Sequence, residues 1–292
     1  TFWTDRDQTM RGHSRGIIMR RAGALLWAVL LVLPVQGRAA GNTNNESFAK
    51  AKRLLEQEVY YDHRQTLYCG AVFDEHKRVQ LPQGFTTDKH RKRSLRVEWE
   101  HVVPAENFGR AFPEWREGHA RCIDRKGKAF RGRACAEKMN ADYRRMQADM
   151  YNLYPAIGSV NAVRSNKNFQ MLGPGVPSAF GSCSMKIIGN KAEPPERARG
   201  QIARSCLYMA DSYGRQYRMS RQQRQLMQAW ARQYPVDAWE CRRARRIERL
   251  QGNENRFVKE PCLSAGLWPE QETVFLPEDD GDIFLKKCRQ QR

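Results

Sequence analysis

The chain has 292 residues, with 51 lysines and arginines against 32 acidic residues and a formal charge of +19. A hydrophobic fraction of 40% is enough to bury a globular core and too much for a disordered polycation. That charge implies an anionic partner: nucleic acid first, then an anionic membrane surface or an acidic glycan.

Met19-Arg20-Arg21, the uncharged apolar run Ala22 to Val35 and the small residues Gly37 and Ala39 read as an export signal cut after Ala39. The apolar run is too short to span a bilayer comfortably. Residues 1–39 hold six arginines against Asp5 and Asp7, so most of the basicity belongs to the remainder. The eight cysteines, an even number in an exported chain, favour disulfides over a metal centre, and no Cys-x-x-Cys pair occurs. Cys122 and Cys135 are expected to pair and staple the charged loop 123–134, contributing about 3 kcal/mol in the chain-entropy picture. The expected organisation is an upstream and signal segment 1–39, a catalytic domain 40–262 and an extension 263–292.

Residues 46–61 carry Phe48, Ala51, Leu54, Leu55 and Val59 at helical spacing. Residues 67–85 read as short strands and turns. Residues 86–96 are a basic run, with Lys89, Arg91, Lys92, Arg93 and Arg96, that leads into an apolar strand ending at Pro104. Residues 106–135 read as irregular. A helix is expected over 136–153, with Met139, Tyr143, Met146, Met150 and Leu153 as its core stripe. Pro155 then suits the first turn of a short helix, Ala156 to Val163. Residues 171–183 read as a loop, and 196–217 and 220–233 as helices, the second capped by Ser220. The tail beyond Pro261 turns acidic at Glu278, Asp279, Asp280 and Asp282.

Two stretches carry chemistry. Residues 96–104 place His101 beside Glu100 in a half-apolar strand, and residues 149–161 carry Asn152 and Asn161. Hydrolysing a phosphodiester requires a group to deprotonate water and positive charge to neutralise the phosphorane and the leaving oxygen. An imidazole suits the first task. Mg²⁺ held by carboxylate and amide oxygens suits the second. Strand alternation puts His101 and Glu100 on opposite faces, so the strand must bulge or end there for both to reach one site.

Glu98-Trp99-Glu100-His101-Val102-Val103-Pro104-Ala105, residues 149–161 and Arg164-Ser165-Asn166 resemble the endonuclease I family of bacterial periplasmic or secreted nucleases. The similarity continues through residues 194–200, Ile202-Ala203-Arg204, Tyr208-Met209, residues 235–241, Gly252-Asn253 and Asn255, covering about 46 to 262. It implies an α+β fold, mainly helical around a small sheet, stapled by disulfides, with a ββα-metal finger. His101 would be the general base. Glu100 and Asn161 would hold one Mg²⁺, with Mn²⁺ or Ca²⁺ as substitutes, and Asn152 would brace the loop carrying the histidine. Arg131 or Arg133 would bind the scissile phosphate. Lys89, Arg91, Lys92, Arg93, Arg96, Arg164, Arg197 and Arg199 are the candidates for gripping nucleic acid. The implied substrates are double- and single-stranded DNA and RNA, cut by a monomer free of membrane to 5′-phosphate and 3′-hydroxyl ends, in the minor groove and with little sequence preference. The chain departs from the family in a longer stretch between the two motifs and in residues 263–292. Cys206 and Cys288 fall outside the usual cysteine set, which suggests that they pair and pin the tail. The acidic segment 278–282 could instead shield a basic cleft.

Two other readings share some of these features. A non-catalytic secreted DNA-binding protein for uptake or matrix would need only the lysines and arginines. A cell-wall hydrolase would use Glu98 and Glu100 as paired carboxylates on one strand face.

Overall fold

The computed structural model describes residues 40–268; the expected export signal, the acidic segment and Cys288 lie outside them. Helix α1 (Phe48–Leu54) starts under a Ser47 cap, whose hydroxyl accepts from Lys50 N at 3.1 Å, and runs on as a wider π turn through Val59. Ala51, Leu55 and Val59, on the expected apolar stripe, are fully buried. The short pairings at 65–79 are isolated bridges.

Strand β1 (Val97–His101) pairs antiparallel with β2 (Leu153–Ile157), from Val97 opposite Ile157 to His101 opposite Leu153. Helix α6 (Gly158–Arg164) follows β2 directly. This corrects the helix expected from Ala156: Pro155 lies inside a strand. The ladder shows why the strand accepts it. Gly158 N donates to Arg96 O and Val102 N to Asn152 O, so bonded pairs fall at even positions of β1. Pro155 faces Trp99, an odd position, and its missing N–H removes no ladder bond. Gly158 also matters, because a Cβ there would lie 2.5 Å from Arg93 O and 2.9 Å from Glu98 Oε1. Only glycine lets α6 start this close to β1.

Between the two strands the chain is more ordered than expected. Helices α2 (Ala105–Gly109) and α3 (Pro113–Arg116) occupy the stretch read as irregular, and α4 (Arg133–Met139) precedes α5 (Ala141–Gln147). The single helix expected over 136–153 is broken at Asn140, which is extended (φ −120°, ψ 116°) and caps α5 by accepting from Tyr143 N. Leu153 passes from the expected stripe into β2.

A second, four-stranded sheet has the order β3 (Asn168–Phe169), β6 (Lys191–Glu193), β5 (Cys183–Ile188), β4 (Ser178–Phe180), with only the β3–β6 pair parallel. Strand β4 thus falls within the expected loop. Helix α7 (Glu196–Ser212) is buried along most of its length. Helix α8 (Arg221–Gln233) is capped by Ser220, as expected, through Gln223 N at 3.1 Å. Helices α9 (Ala238–Gln251) and α10 (Arg256–Ser264) complete an α+β fold. Among the described residues no helix is long and apolar enough to cross a membrane.

Three disulfides staple this fold: Cys69–Cys183, Cys122–Cys135 and Cys241–Cys262. The second is the expected loop staple. Among the described residues Cys206 is a free, buried thiol on α7, and burial pushes its pKa up to about 12; its expected partner Cys288 lies outside them. Asp149, fully buried, ties the centre together. Its carboxylate accepts from Tyr208 Oη (2.7 Å), Tyr213 Oη (2.6 Å), Gln251 Nε2 (3.0 Å) and Tyr151 N (3.0 Å). These bonds hold the segment just before Asn152 against α7 and the end of α9.

Candidate active site

Strand β1 ends at His101, and alternation holds through the last pair. Glu98 and Glu100 therefore share one face, against α6, while His101 points to the other. The imidazole lies 5.1 Å from the Phe48 ring and 6.3 Å from the Phe108 ring, centroid to centroid. Its Nε2 lies 2.9 Å from the backbone oxygen of Gln147. A carbonyl can only accept, so Nε2 carries the proton and Nδ1 keeps its lone pair. Among the described residues Nδ1 has no hydrogen-bond partner, and it is not one of the sealed, unpartnered atoms of the core. Burial, then the neighbouring Arg133 charge, presses the His101 pKa down to about 3, while the Gln147 carbonyl acts in the opposite direction. The ring is neutral at ordinary pH, with one nitrogen held and the other open to take a proton.

Asn152 is fully buried and holds the chain beyond the histidine. Its Oδ1 accepts from Val103 N at 2.7 Å, and its Nδ2 donates to Val103 O at 3.0 Å. Its backbone oxygen accepts from Val102 N. The Asn152 side chain therefore binds the backbone just beyond His101. Asn152→Ala leaves a buried donor and a buried acceptor unpaired, and is expected to cost about 3 kcal/mol in urea unfolding. Asn152→Asp, which keeps the acceptor, should recover part of that loss. An alanine variant as stable as wild type would remove the brace.

Arg133 and Arg131 are no longer equivalent candidates. Arg133 donates through Nε and Nη2 to Gln147 Oε1 (both 3.3 Å), and its guanidinium lies 5.2 Å from the centre of the Phe48 ring. Arg131 turns away and donates to Arg116 O at 3.3 Å. Gln147 thus holds the imidazole through its backbone and Arg133 through its side chain. Sequence reasoning missed it, because a glutamine at a helix end carries no signal of full burial. Phe48 and Lys52 were also missed. Lys52 Nζ lies 4.6 Å from the Phe48 ring centre, and both residues line a cleft with Arg53, Lys77, Trp99 and Asn161.

The oxygen donors sort themselves by occupancy. Glu98 is committed to cations. Arg93 reaches it through two bonds (2.8 and 2.5 Å), Arg96 lies 3.4 Å away, and Asn161 Nδ2 donates to it at 3.0 Å. Burial would raise its pKa, but Arg93, Asn161 and Arg96 outweigh this and lower it. On Glu100, Oε1 takes both Tyr68 Oη (2.7 Å) and Arg164 Nη1 (2.5 Å). Among the described residues neither Glu100 Oε2 nor Asn161 Oδ1 has a hydrogen-bond partner, and neither is sealed from solvent. These two hard oxygens suit Mg²⁺, which keeps most of its waters and needs few protein ligands. No group of three or more His, Cys, Asp or Glu suited to a metal occurs among the described residues, so any ion here would rest on few protein atoms. Both carboxylates are tied to arginines, which leaves Glu98 and Glu100 poorly suited to act as a free acid–base pair.

Several expected nucleic-acid contacts are corrected. Arg164 is 1% exposed and donates to Glu100 Oε1, His101 O and Val102 O. Breaking such a buried pair costs about 3–5 kcal/mol, more than a surface ion pair returns. Arg199 is buried against Glu193 Oε1 (2.8 Å) and Tyr234 Oη (2.9 Å). The Arg197 guanidinium is engaged by Thr66 O, Leu67 O and Gln65 Oε1. Arg93 folds back onto Glu98. Lys89, Arg91 and Lys92 are exposed and have no ion-pair partner among the described residues, whereas the exposed Arg96 is paired with Glu98 at 3.4 Å.

A profile of the endonuclease I family matches residues 50–262. The chain is 39% identical over 241 residues to a periplasmic deoxyribonuclease of Aeromonas hydrophila, covering 80% of this chain and 92% of the relative. It is 39% identical over 244 residues to an extracellular deoxyribonuclease of the same organism, covering 81% and 98%. It is 34% identical over 224 residues to an endonuclease-1 of Buchnera aphidicola subsp. Acyrthosiphon pisum, covering 74% and 82%. The chain belongs to the endonuclease I family.

Proposed function

We propose that the protein is an exported, metal-dependent endonuclease. It hydrolyses the phosphodiester bonds of DNA, and of RNA, with little sequence preference, leaving 5′-phosphate and 3′-hydroxyl ends. The observation that carries the reading is the neutral His101 ring, with Nε2 held by Gln147 O at 2.9 Å and Nδ1 open. His101 takes the proton of the attacking water on Nδ1. Arg133, fixed beside it by Gln147, holds the scissile phosphate. Asn152 keeps the strand end in place. β1, β2 and α6 correspond to the ββα finger, with Glu100 Oε2 and Asn161 Oδ1 as the donors to Mg²⁺. When bound, that ion neutralises charge on the phosphate and stabilises the leaving oxygen. The exposed basic run 89–96 and the cleft beside Phe48 carry the backbone, by contacts that do not read bases.

Supercoiled plasmid incubated with the purified protein and Mg²⁺ should pass to nicked and linear forms, and EDTA should stop the conversion. Mn²⁺ should restore it. Intact plasmid after prolonged incubation with Mg²⁺ would leave a secreted DNA-binding protein as the better reading, and cutting in EDTA would remove the metal.

A further inference from the structure

Many basic side chains among the described residues are neutralised by an acid. Arg144 and Arg145 are paired with Glu46, Arg78 with Asp74, Lys77 with Glu56, Arg204 with Glu240 and Arg246 with Asp62. Apart from the exposed run at 89–96 and the outer face of α8, one cluster of unpaired cations is held on a built support. Between Cys122 and Cys135 the chain leaves the body as a narrow finger. Its arms meet through an Ile123–Ala129 bridge and a Phe130 N to Cys122 O bond of 2.8 Å. Asp124 folds the tip, accepting on Oδ1 from Lys126 N and Lys128 N (2.8 and 2.9 Å), and Gly127 sits at φ 78°. The only acid in the loop is thus used to shape the turn. Arg125, Lys126 and Lys128 are exposed, and among the described residues none has an ion-pair partner.

The base of the finger is fixed. Gly132 N donates to Trp115 O at 3.0 Å, and Lys138 Nζ donates to Arg121 O while lying 5.6 Å from the Phe130 ring centre. Arg133, two residues before the disulfide, stands beside His101. The tip is five residues from Cys122, a reach of about 16 Å at roughly 3.3 Å per residue. Duplex DNA carries one charge per about 1.7 Å of axis, so an arm of this length spans several phosphate spacings.

We propose that this disulfide-stapled finger is a second nucleic-acid contact, gripping the duplex backbone away from the scissile phosphate through Arg125, Lys126 and Lys128. This rests on the nuclease reading for its partner, but its test does not depend on catalysis. A stiff arm loses little entropy on binding, and three unpaired cations gathered at its end release counterions together. The grip is sequence-independent and lengthens the footprint.

The experiment measures binding of the full-length oxidised protein to a 40-bp duplex and to a 6-bp duplex in EDTA, across a salt series, by fluorescence anisotropy. Serine replaces Arg125, Lys126 and Lys128 together. A second triple variant replaces the exposed α8 residues Arg221, Arg224 and Arg232 with serine and removes the same net charge. The finger variant should bind the 40-bp duplex about tenfold more weakly at low salt, with a log–log salt slope shallower by about two to three. The loss should be smaller on the 6-bp duplex and in the α8 variant. An unchanged slope, equal losses on both lengths, or equal losses in both variants would overturn the proposal. So would anionic phosphatidylserine vesicles that bind as tightly as the duplex and lose as much, since the surface would then be one for membranes. A wild-type protein that binds duplex through the finger but never nicks plasmid would refute the nuclease reading alone.

Discussion

Replacing His101 with alanine should lower plasmid nicking by about 10²–10⁴, the range expected when a positioned general base is lost. Binding of duplex in EDTA should change by no more than about twofold, because the ring is neutral and only 7% exposed and so contributes little to the basic surface. The two measurements separate a lost base from a damaged binding surface. The same burial makes a second, non-kinetic prediction. The native ring resists protonation down to about pH 3, whereas an unfolded histidine takes its proton near pH 6.5. Between those values the unfolded state binds the extra proton, so acid favours unfolding. The His101 contribution is therefore complete above about pH 6.5 and is lost as the pH falls toward about 3. Between pH 7 and pH 5 wild type should lose about 2 kcal/mol that the alanine variant does not lose, read by urea unfolding. A variant with undiminished nicking would reassign the base, and parallel stability profiles would mean that the ring is not held neutral.

The parts of the site that could be read in the sequence were those set by local chemistry. A serine before a periodic helix and two cysteines around a charged loop each produced the expected structure, and the apolar run formed a strand ending at His101, with regular register and Glu100 and His101 on opposite faces. What could not be read depends on distant partners. Pro155 suggests a helix start until its strand register is known, and only the Arg96–Gly158 and Val102–Asn152 bonds show that its missing N–H removes no ladder bond. Arg243 lies in the charge-rich helix α9, yet it is 2% exposed. Arg243 donates to Met150 O and Leu153 O, both 2.8 Å away, and so clasps the two sides of Asn152. Arg164, Arg199 and Arg204 are internal in the same way. Net charge therefore overstates the binding surface, because arginine can satisfy buried carbonyls and carboxylates with its five donors. The match to the motif correctly assigned residues 101 and 152 to one neighbourhood. It could not reveal that Arg164 is a strut or that Gln147 links the imidazole to Arg133.

Reduction of the three disulfides should abolish activity, and the magnitudes explain why. The Cys69–Cys183 bridge closes a loop of 114 residues, and Cys122–Cys135 and Cys241–Cys262 close loops of 13 and 21. In the chain-entropy picture a loop near 100 residues contributes about 4.7 kcal/mol and the short ones about 3 kcal/mol each. Domains of this kind are stable by only about 5–15 kcal/mol in total, so the bridges account for most of the margin. Each bridge also lies one step from the site. Cys69 follows Tyr68, which donates to Glu100 Oε1 at 2.7 Å. Cys135 follows Arg133 by two residues, at the foot of the finger. Cys241 anchors α9 two residues before Arg243. In strong reductant, plasmid nicking should fall by more than about 100-fold, the cooperative unfolding transition should shift to much lower urea, and reoxidation should restore both. The Cys69→Ser/Cys183→Ser pair should lose the most stability, since it releases the longest loop. Full nicking by protein whose six bridge thiols are shown to be reduced would reject this account. If the account holds, the chain becomes a nuclease only after it reaches an oxidising compartment, because reducing surroundings withhold the free energy that brings His101, Asn152 and Arg133 together.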